Sequence, residues 1–347
     1  MGNKENNNIY AVVTTIQEPT DCMRGLAVAL GAVRGKLLVM GDKKGPASFD
    51  LEGVEFVSLA EQLELSFSLA PLLPTGHYGR KNLGYLLAAQ YGATCIYETD
   101  DDNAPTTDWA VRSVKVEAQE IPKVSWLNVY RLFSDELIWP RGFPLSLVRD
   151  PNTCPDTTNS STVEIEAPIQ QGLADNSPDV DALWRLVLDR DFQFEKRRSV
   201  YLPPGTWCPF NSQSTWWWPM MYPLMYLPSY CSFRMTDIWR SFIALRCLWE
   251  SGYGMVFHAP EVVQERNIHN LMRDFKDEVP GYLGNEEITR RLHDLSLDSG
   301  FGAVSENLRK CYESLVKAKF FPPEELPLVH AWLEDIEKTK TVDNQSD

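Results

Sequence analysis

The sequence predicts an α/β protein: a doubly wound, mainly parallel sheet flanked by helices, with a helical C-terminal region. Three observations carry this. Up to residue 97, short β-branched runs alternate with amphipathic helical stretches in the order β-α-β-β-α-β. The connections between them are short, as in sheets whose ligands lie beyond the carboxyl ends of the strands. Beyond residue 260 the pattern reads as several helices. With 347 residues, 44% of them hydrophobic, the chain can bury a large core.

Taken in order, residues 1–8 (MGNKENNN) read as a disordered polar tail, and residues 9–15 (IYAVVTT) as a buried strand. A turn holding Pro19 leads to a helix over 21–34, whose Cys22, Leu26, Ala29, Leu30 and Val33 share one face. Residues 36–40 (KLLVM) form a second strand, ended by GDKKGP, and residues 54–59 a third. A helix over 79–91 brings Leu83, Leu86 and Leu87 together, and a fourth strand over 94–97 runs straight into ETDDDN. Residues 150–180, rich in Asp, Asn, Ser, Thr and Pro, read as a long polar connection. A short amphipathic helix follows within 179–194. The prolines of the aromatic stretch 201–230 forbid a continuous helix there. Helix resumes over 235–249, and an apolar run at 253–257 ends at His258. The division expected is a tail (1–8), a ligand-binding domain (9–260), a helical extension (261–340) and a polar tail (341–347).

A formal charge of -15 argues against a nucleic acid polymer as partner, since such binding needs basic patches. The seven cysteines show no CxxC pairing and read as free thiols. No run approaches the roughly 20 apolar residues of a membrane span. These features predict a soluble, cytoplasmic chain. No GxGxxG follows the first strand and no GxxxxGK[ST] occurs, which removes the main support for a dinucleotide oxidoreductase or a P-loop enzyme.

The chemistry concentrates after strand ends, in TTIQEPT, GDKK and ETDDDN, which converge on one sheet edge. Crowded carboxylates repel unless a cation sits among them, and Mg²⁺ or Mn²⁺ prefers such hard oxygen ligands together with substrate phosphates. Alternation in an extended chain puts Asp100 and Asp102 on one face as metal ligands, with Asp101 turned away or on a ribose. A solvated acidic turn is the competing reading. Arg80 and Asn82 open the helix before the fourth strand and suit a phosphate or a base edge. Thr14, Thr15 and Asp42 stand at the first two strand ends. His258 reads either as a third metal ligand or as a satisfied histidine. Asp237, at a helix start, is either a first-turn residue or a general base for an acceptor hydroxyl. Trp216, Trp217 and Trp239 suit a sugar platform or the core.

Together IYAVVTTIQEPT, VMGDKKGP, HYGRKNLGYLLAAQYGATCIYETDDDN, NSQSTWWWPMMYPLMYLP, RMTDIWRSFIALRCLWE and VVQERNIHNL resemble the STELLO-like family of glycosyltransferases. A weaker similarity, through the triple aspartate and DIW, is to reversibly glycosylated polypeptides, which include nucleotide-arabinose mutases. The resemblance implies a GT-A-like fold with a metal-dependent diphosphate site at Asp100, Asp101 and Asp102. It places Thr14, Asp42 and Arg80 near the nucleotide, Asp237 on the acceptor side and His258 at a final metal position. The function it implies is transfer of a sugar from a nucleotide-diphosphate sugar, UDP-linked by preference, to a glycan or other hydroxyl acceptor, with Mn²⁺ or Mg²⁺ as cofactor. A nucleotide-sugar mutase and a non-catalytic scaffold are the alternatives.

Overall fold

The computed structural model describes residues 8–158, 160–265 and 270–343. Most of the N-terminal tail, part of VVQERNIHNL and all but the first three residues of the 341–347 tail lie outside them. Asn8 is tied down, its side-chain amide donating to the carbonyls of Tyr91 and Gly92 at 2.8 and 2.9 Å.

The elements run β1 (Ile9–Thr15), α1 (Asp21–Ala32), β2 (Lys36–Gly41), β3 (Val54–Val57), α2 (Leu59–Glu64), α3 (Lys81–Gln90), β4 (Cys95–Thr99), β5 (Asn103–Pro105) and β6 (Lys115–Glu120). They continue β7 (Thr162–Glu166), β8 (Ile169–Asp175), α4 (Ala182–Leu188), β9 (Val200–Leu202), β10 (Ser214–Trp217), α5 (Thr236–Glu250) and β11 (Met255–Gln264). Three helices close the chain: α6 (Leu271–Asp294), α7 (Val304–Lys317) and α8 (Glu325–Asp343). Among the described residues no helix is long and apolar enough to cross a membrane.

One mixed sheet of 11 strands organises the molecule, in the order β3-β2-β1-β4-β10-β8-β11-β9-β6-β7, with β5 paired to β11. The half from β3 to β4 is parallel, as the crossover pattern predicts. Its central strands are buried on both faces, which is why they read as continuous apolar runs. Gly84 lets α3 lie close on this half, since a Cβ there would meet Val12 Cγ1 at 2.4 Å.

The other half mixes directions. β10 is antiparallel to both β4 and β8, while β8 runs parallel to β11. This corrects the reading of 150–180 as a polar connection, because β7 and the interior strand β8 lie within it. The glutamines of β8 are buried but satisfied. Gln170 Nε2 donates to the carbonyls of Ser113 and Ala167, at 2.9 and 3.0 Å. β8 also holds Gly172, where a Cβ would come within 2.4 Å of the Glu261 carboxyl carbon. That glutamate accepts from Ser214 Oγ at 2.6 Å, Trp216 Nε1 at 2.9 Å and Arg112 Nε at 3.1 Å. β11 is longer than the apolar run 253–257 suggested and crosses residue 260, the expected domain boundary.

The C-terminal helices pack back onto the first half. Asp335 of α8 accepts from the backbone N–H groups of Ser68 and Leu69 at 2.9 and 2.8 Å. Glu325 accepts from Tyr230 N at 2.7 Å and from the Tyr226 hydroxyl.

Candidate functional site

A cavity of about 390 Å³ opens beyond the carboxyl ends of β1, β2 and β4. Thr14, Thr15 and Ile16 line it from the end of β1, Asp42 and Lys44 from the end of β2, and Asp100, Asp101 and Asp102 from the end of β4. The strand-end segments picked out in the sequence therefore do meet. Ser212, Gln213, Gln264, Arg141, Asp179 and Asp237 complete the lining, with the rings of His77, Tyr78 and Phe233.

The three aspartates do not alternate. β4 ends at Thr99 and the chain turns at Asp101 and Asp102, so all three line the cavity. Each is held by a neighbouring side chain, and Asp102 also accepts from Asn103 Nδ2 at 3.4 Å. Lys81 Nζ donates to Asp100 Oδ1 at 2.8 Å, Thr15 Oγ1 to Asp101 Oδ2 at 2.6 Å, and Gln264 Nε2 to Asp102 Oδ2 at 3.0 Å. The Thr20 hydroxyl, which caps α1, also donates to the Asp101 carbonyl at 2.8 Å. These contacts do not neutralise the cluster. Burial raises Asp100 to about 6 against the pull of Lys81, and burial plus repulsion from Asp100 and Asp101 raises Asp102 to about 7. Asp101 is raised as well, mainly by burial.

In the same lining, Arg141 is clamped between two carboxylates. It donates to Asp179 at 2.7 and 2.8 Å and to Asp237 at 3.0 and 2.9 Å. Burial pushes the Asp237 carboxyl up, but the Arg141 guanidinium outweighs it and the net shift is downward. A carboxylate so held is a weak proton acceptor, which tells against a general-base role. Asp42 lines the cavity and also has a structural task. It accepts from the N–H groups of Gly76 and His77 at 2.9 and 3.0 Å and so pins the loop that carries the rings. Lys44 is exposed at the rim, with no ion pair among the described residues.

Several expected site residues do not line the cavity. His258 is buried with both ring nitrogens engaged, Nδ1 by Ser199 Oγ at 2.7 Å and Nε2 by Gln170 Oε1 at 2.9 Å. It has no lone pair left for a metal, and Gln264, at the end of the same strand, reaches the acidic turn instead. Arg80 is fully enclosed, donating to Gln62 Oε1 at 2.6 Å and to the Leu73 carbonyl at 3.1 Å. Asn82 braces the backbone of Leu227 through both its amide atoms. Trp216, Trp217 and Trp239 are core residues whose indoles donate to Glu261, Glu98 and Asn285. The sequence reading missed Arg141 and Asp179. Their one signal is a position in proline-punctuated loops, WPRGFP and SPDVD.

Among the described residues no three His, Cys, Asp or Glu side chains form a metal-holding group. The donor set still fits a hard divalent cation, which takes one or two carboxylates and completes its shell with water and substrate phosphate. Among the described residues Lys81 is the one cation paired with these three carboxylates, so the protein leaves room for further positive charge at this turn.

Comparison with known proteins agrees with the sequence motifs. Residues 234–342 match the model for STELLO glycosyltransferases. The chain is 26% identical over 354 residues to "Probable glycosyltransferase STELLO2" of Arabidopsis thaliana, and 26% over 360 residues to "Probable glycosyltransferase STELLO1" of the same plant. Each alignment takes in 94% of this chain and 44% of the relative, so the chain spans less than half the length of the relatives it matches. Among solved structures, M. tuberculosis glucosyl-3-phosphoglycerate synthase aligns with a TM-score of 0.38 and 12% identity over 81% of each chain, too distant to bear on function.

Proposed function

From its similarity to the STELLO glycosyltransferases, we propose that this chain is a glycosyltransferase that binds a nucleotide-diphosphate sugar, UDP-linked by preference, in the cavity at the strand ends. One observation carries the reading. The segments after β1, β2 and β4 converge there on three under-neutralised aspartates. Ligands of open α/β sheets bind at that place.

Asp102, with Asp100 and Asp101 beside it, would hold Mn²⁺ or Mg²⁺. The cation would supply positive charge for a leaving diphosphate. Lys44 at the rim would add a second positive group for the phosphates. Thr15 fixes Asp101 and Lys81 fixes Asp100, so both carboxylates are oriented before a ligand arrives. Asp237 orients Arg141 and Tyr78, and so acts as a positioning residue for the acceptor side. A course that needs no strong base, such as retaining transfer, suits that arrangement.

Calorimetry with UDP, with and without Mn²⁺, tests the site. The expected result is Mn²⁺-dependent binding that is lost in the Asp100→Ala/Asp102→Ala double variant. Binding without metal, or undiminished in that variant, would overturn the assignment.

A further inference from the structure

The tryptophans that suited a sugar platform are interior, yet the cavity has aromatic surface of its own. Phe233 is 51% exposed and lines it together with His77 and Tyr78. The rings form one cluster. His77 and Tyr78 stack at 5.6 Å with 9° between their planes. Phe233 meets Tyr78 edge-on at 4.8 Å and His77 at 5.6 Å.

The cluster is held from two sides. The Tyr78 hydroxyl accepts from Asp237 N at 3.0 Å and donates to Asp237 Oδ1 at 3.3 Å, which ties it to the start of α5. His77 N donates to Asp42, which ties it to the end of β2. Its Nδ1 accepts from Gly79 N at 2.9 Å, fixing the imidazole. Phe233 is in the short turn that leads into α5. An exposed ring on a rigid base inside a polar cavity marks a ligand contact. The same cavity is lined by Arg234, next in sequence, which pairs with Glu278 at 2.9 Å, and by Asp179, whose carboxylate accepts from Arg141. A pyranose needs this pair of surfaces. Its C–H face lies on an aromatic ring, and its hydroxyls meet planar charged groups at the edge.

We infer that Phe233, braced by Tyr78 and His77, is the stacking platform for a pyranose ring of the acceptor, with Arg234 and Asp179 at its hydroxyl edge. This rests on the glycosyl-transfer reading but can fail separately from it. The ring belongs to the turn before α5, whereas the aspartates assigned to the donor diphosphate follow β4, so the inference predicts a donor affinity independent of the ring.

The test is saturation-transfer NMR on the intact chain with methyl β-D-glucopyranoside and methyl β-D-galactopyranoside as probes, in the presence of UDP and Mn²⁺. Saturation should be strongest on the ring hydrogens of one sugar face. Phe233→Ala should weaken glycoside binding about tenfold, Phe233→Trp should retain it, and UDP affinity should stay within about twofold in both. Equal weakening of UDP and glycoside in Phe233→Ala would assign the ring to the nucleobase and overturn the inference. So would an unchanged glycoside signal in Phe233→Ala, or none from the parent chain. A parent chain that binds the glycosides through Phe233 but no UDP would keep the platform and sink the donor assignment instead.

Discussion

Four carboxylates fall within five residues at the end of β4, and the protein treats them in two ways. Glu98, inside the strand, is fully enclosed and accepts from Arg240 Nη1 at 3.1 and 3.0 Å, from Trp217 Nε1 at 3.0 Å and from the Tyr85 hydroxyl. Its charge is answered by the protein itself. Asp100, Asp101 and Asp102, just past the strand end, share one lysine, one hydroxyl and two amides. The difference separates structure from function. A charge buried in the sheet has to be closed off by its neighbours, whereas charge at the sheet edge can be left for a ligand to complete.

The largest expected effect breaks the closed set. Glu98→Ala strands Arg240 as an uncompensated buried cation and should cost about 3–5 kcal/mol in urea unfolding. A loss under about 1 kcal/mol would mean that the two sets do not differ.

Lys81→Met removes the one cation among the described residues that pairs with the aspartates. Asp100 keeps some solvent contact, so the cost should be smaller, about 2 kcal/mol by the same measurement.

His258 is a third case, a titratable group enclosed by neutral partners. Burial, aided by the Arg112 charge, holds its imidazole well below the ordinary 6.5. Its folded pKa is thus below its unfolded one. The stability it contributes is complete above pH 6.5 and is lost as pH falls further, at about 1.4 kcal/mol per unit until the folded pKa is reached. His258→Gln should flatten that part of the stability–pH curve. An unchanged slope would place the titration elsewhere.

The smallest effect is expected at the edge. Asp102→Asn relieves repulsion and should leave stability within about 0.5 kcal/mol of the parent, while Mn²⁺-dependent UDP binding is lost. A destabilisation as large as that of Glu98→Ala would show Asp102 to be structural.

The sequence made the parallel half of the sheet plain because its strands are buried on both faces, so hydrophobic runs and strand positions coincide. Residues 162–175 hid two strands because Gln170 and Gln171 look like loop residues. Their amides rely on groups distant in sequence, such as Ser113 and Asn211, as well as on Ala167 nearby. The strand-end part of the cavity was legible for the same reason as the strands, since it follows directly from their ends. The rest of the lining was not. Arg141, Asp179 and Asp237 come from three separated segments, and only the folded chain reveals that one guanidinium joins them. Tryptophan content suited an exposed platform, yet Trp216, Trp217 and Trp239 are interior, because large rings with a single N–H donor are also what a deep core with buried glutamates requires.

Gly172 has a consequence for how this protein can change. The space its missing side chain leaves is filled by the Glu261 carboxylate. Any larger residue at 172 therefore collides with Glu261, while shortening Glu261 alone leaves Ser214, Trp216 and Arg112 without their shared acceptor. Neither position can move first at low cost. In a mutational library the two should behave epistatically, with paired replacements tolerated where each single one is not, and lineages that differ at one should differ at both.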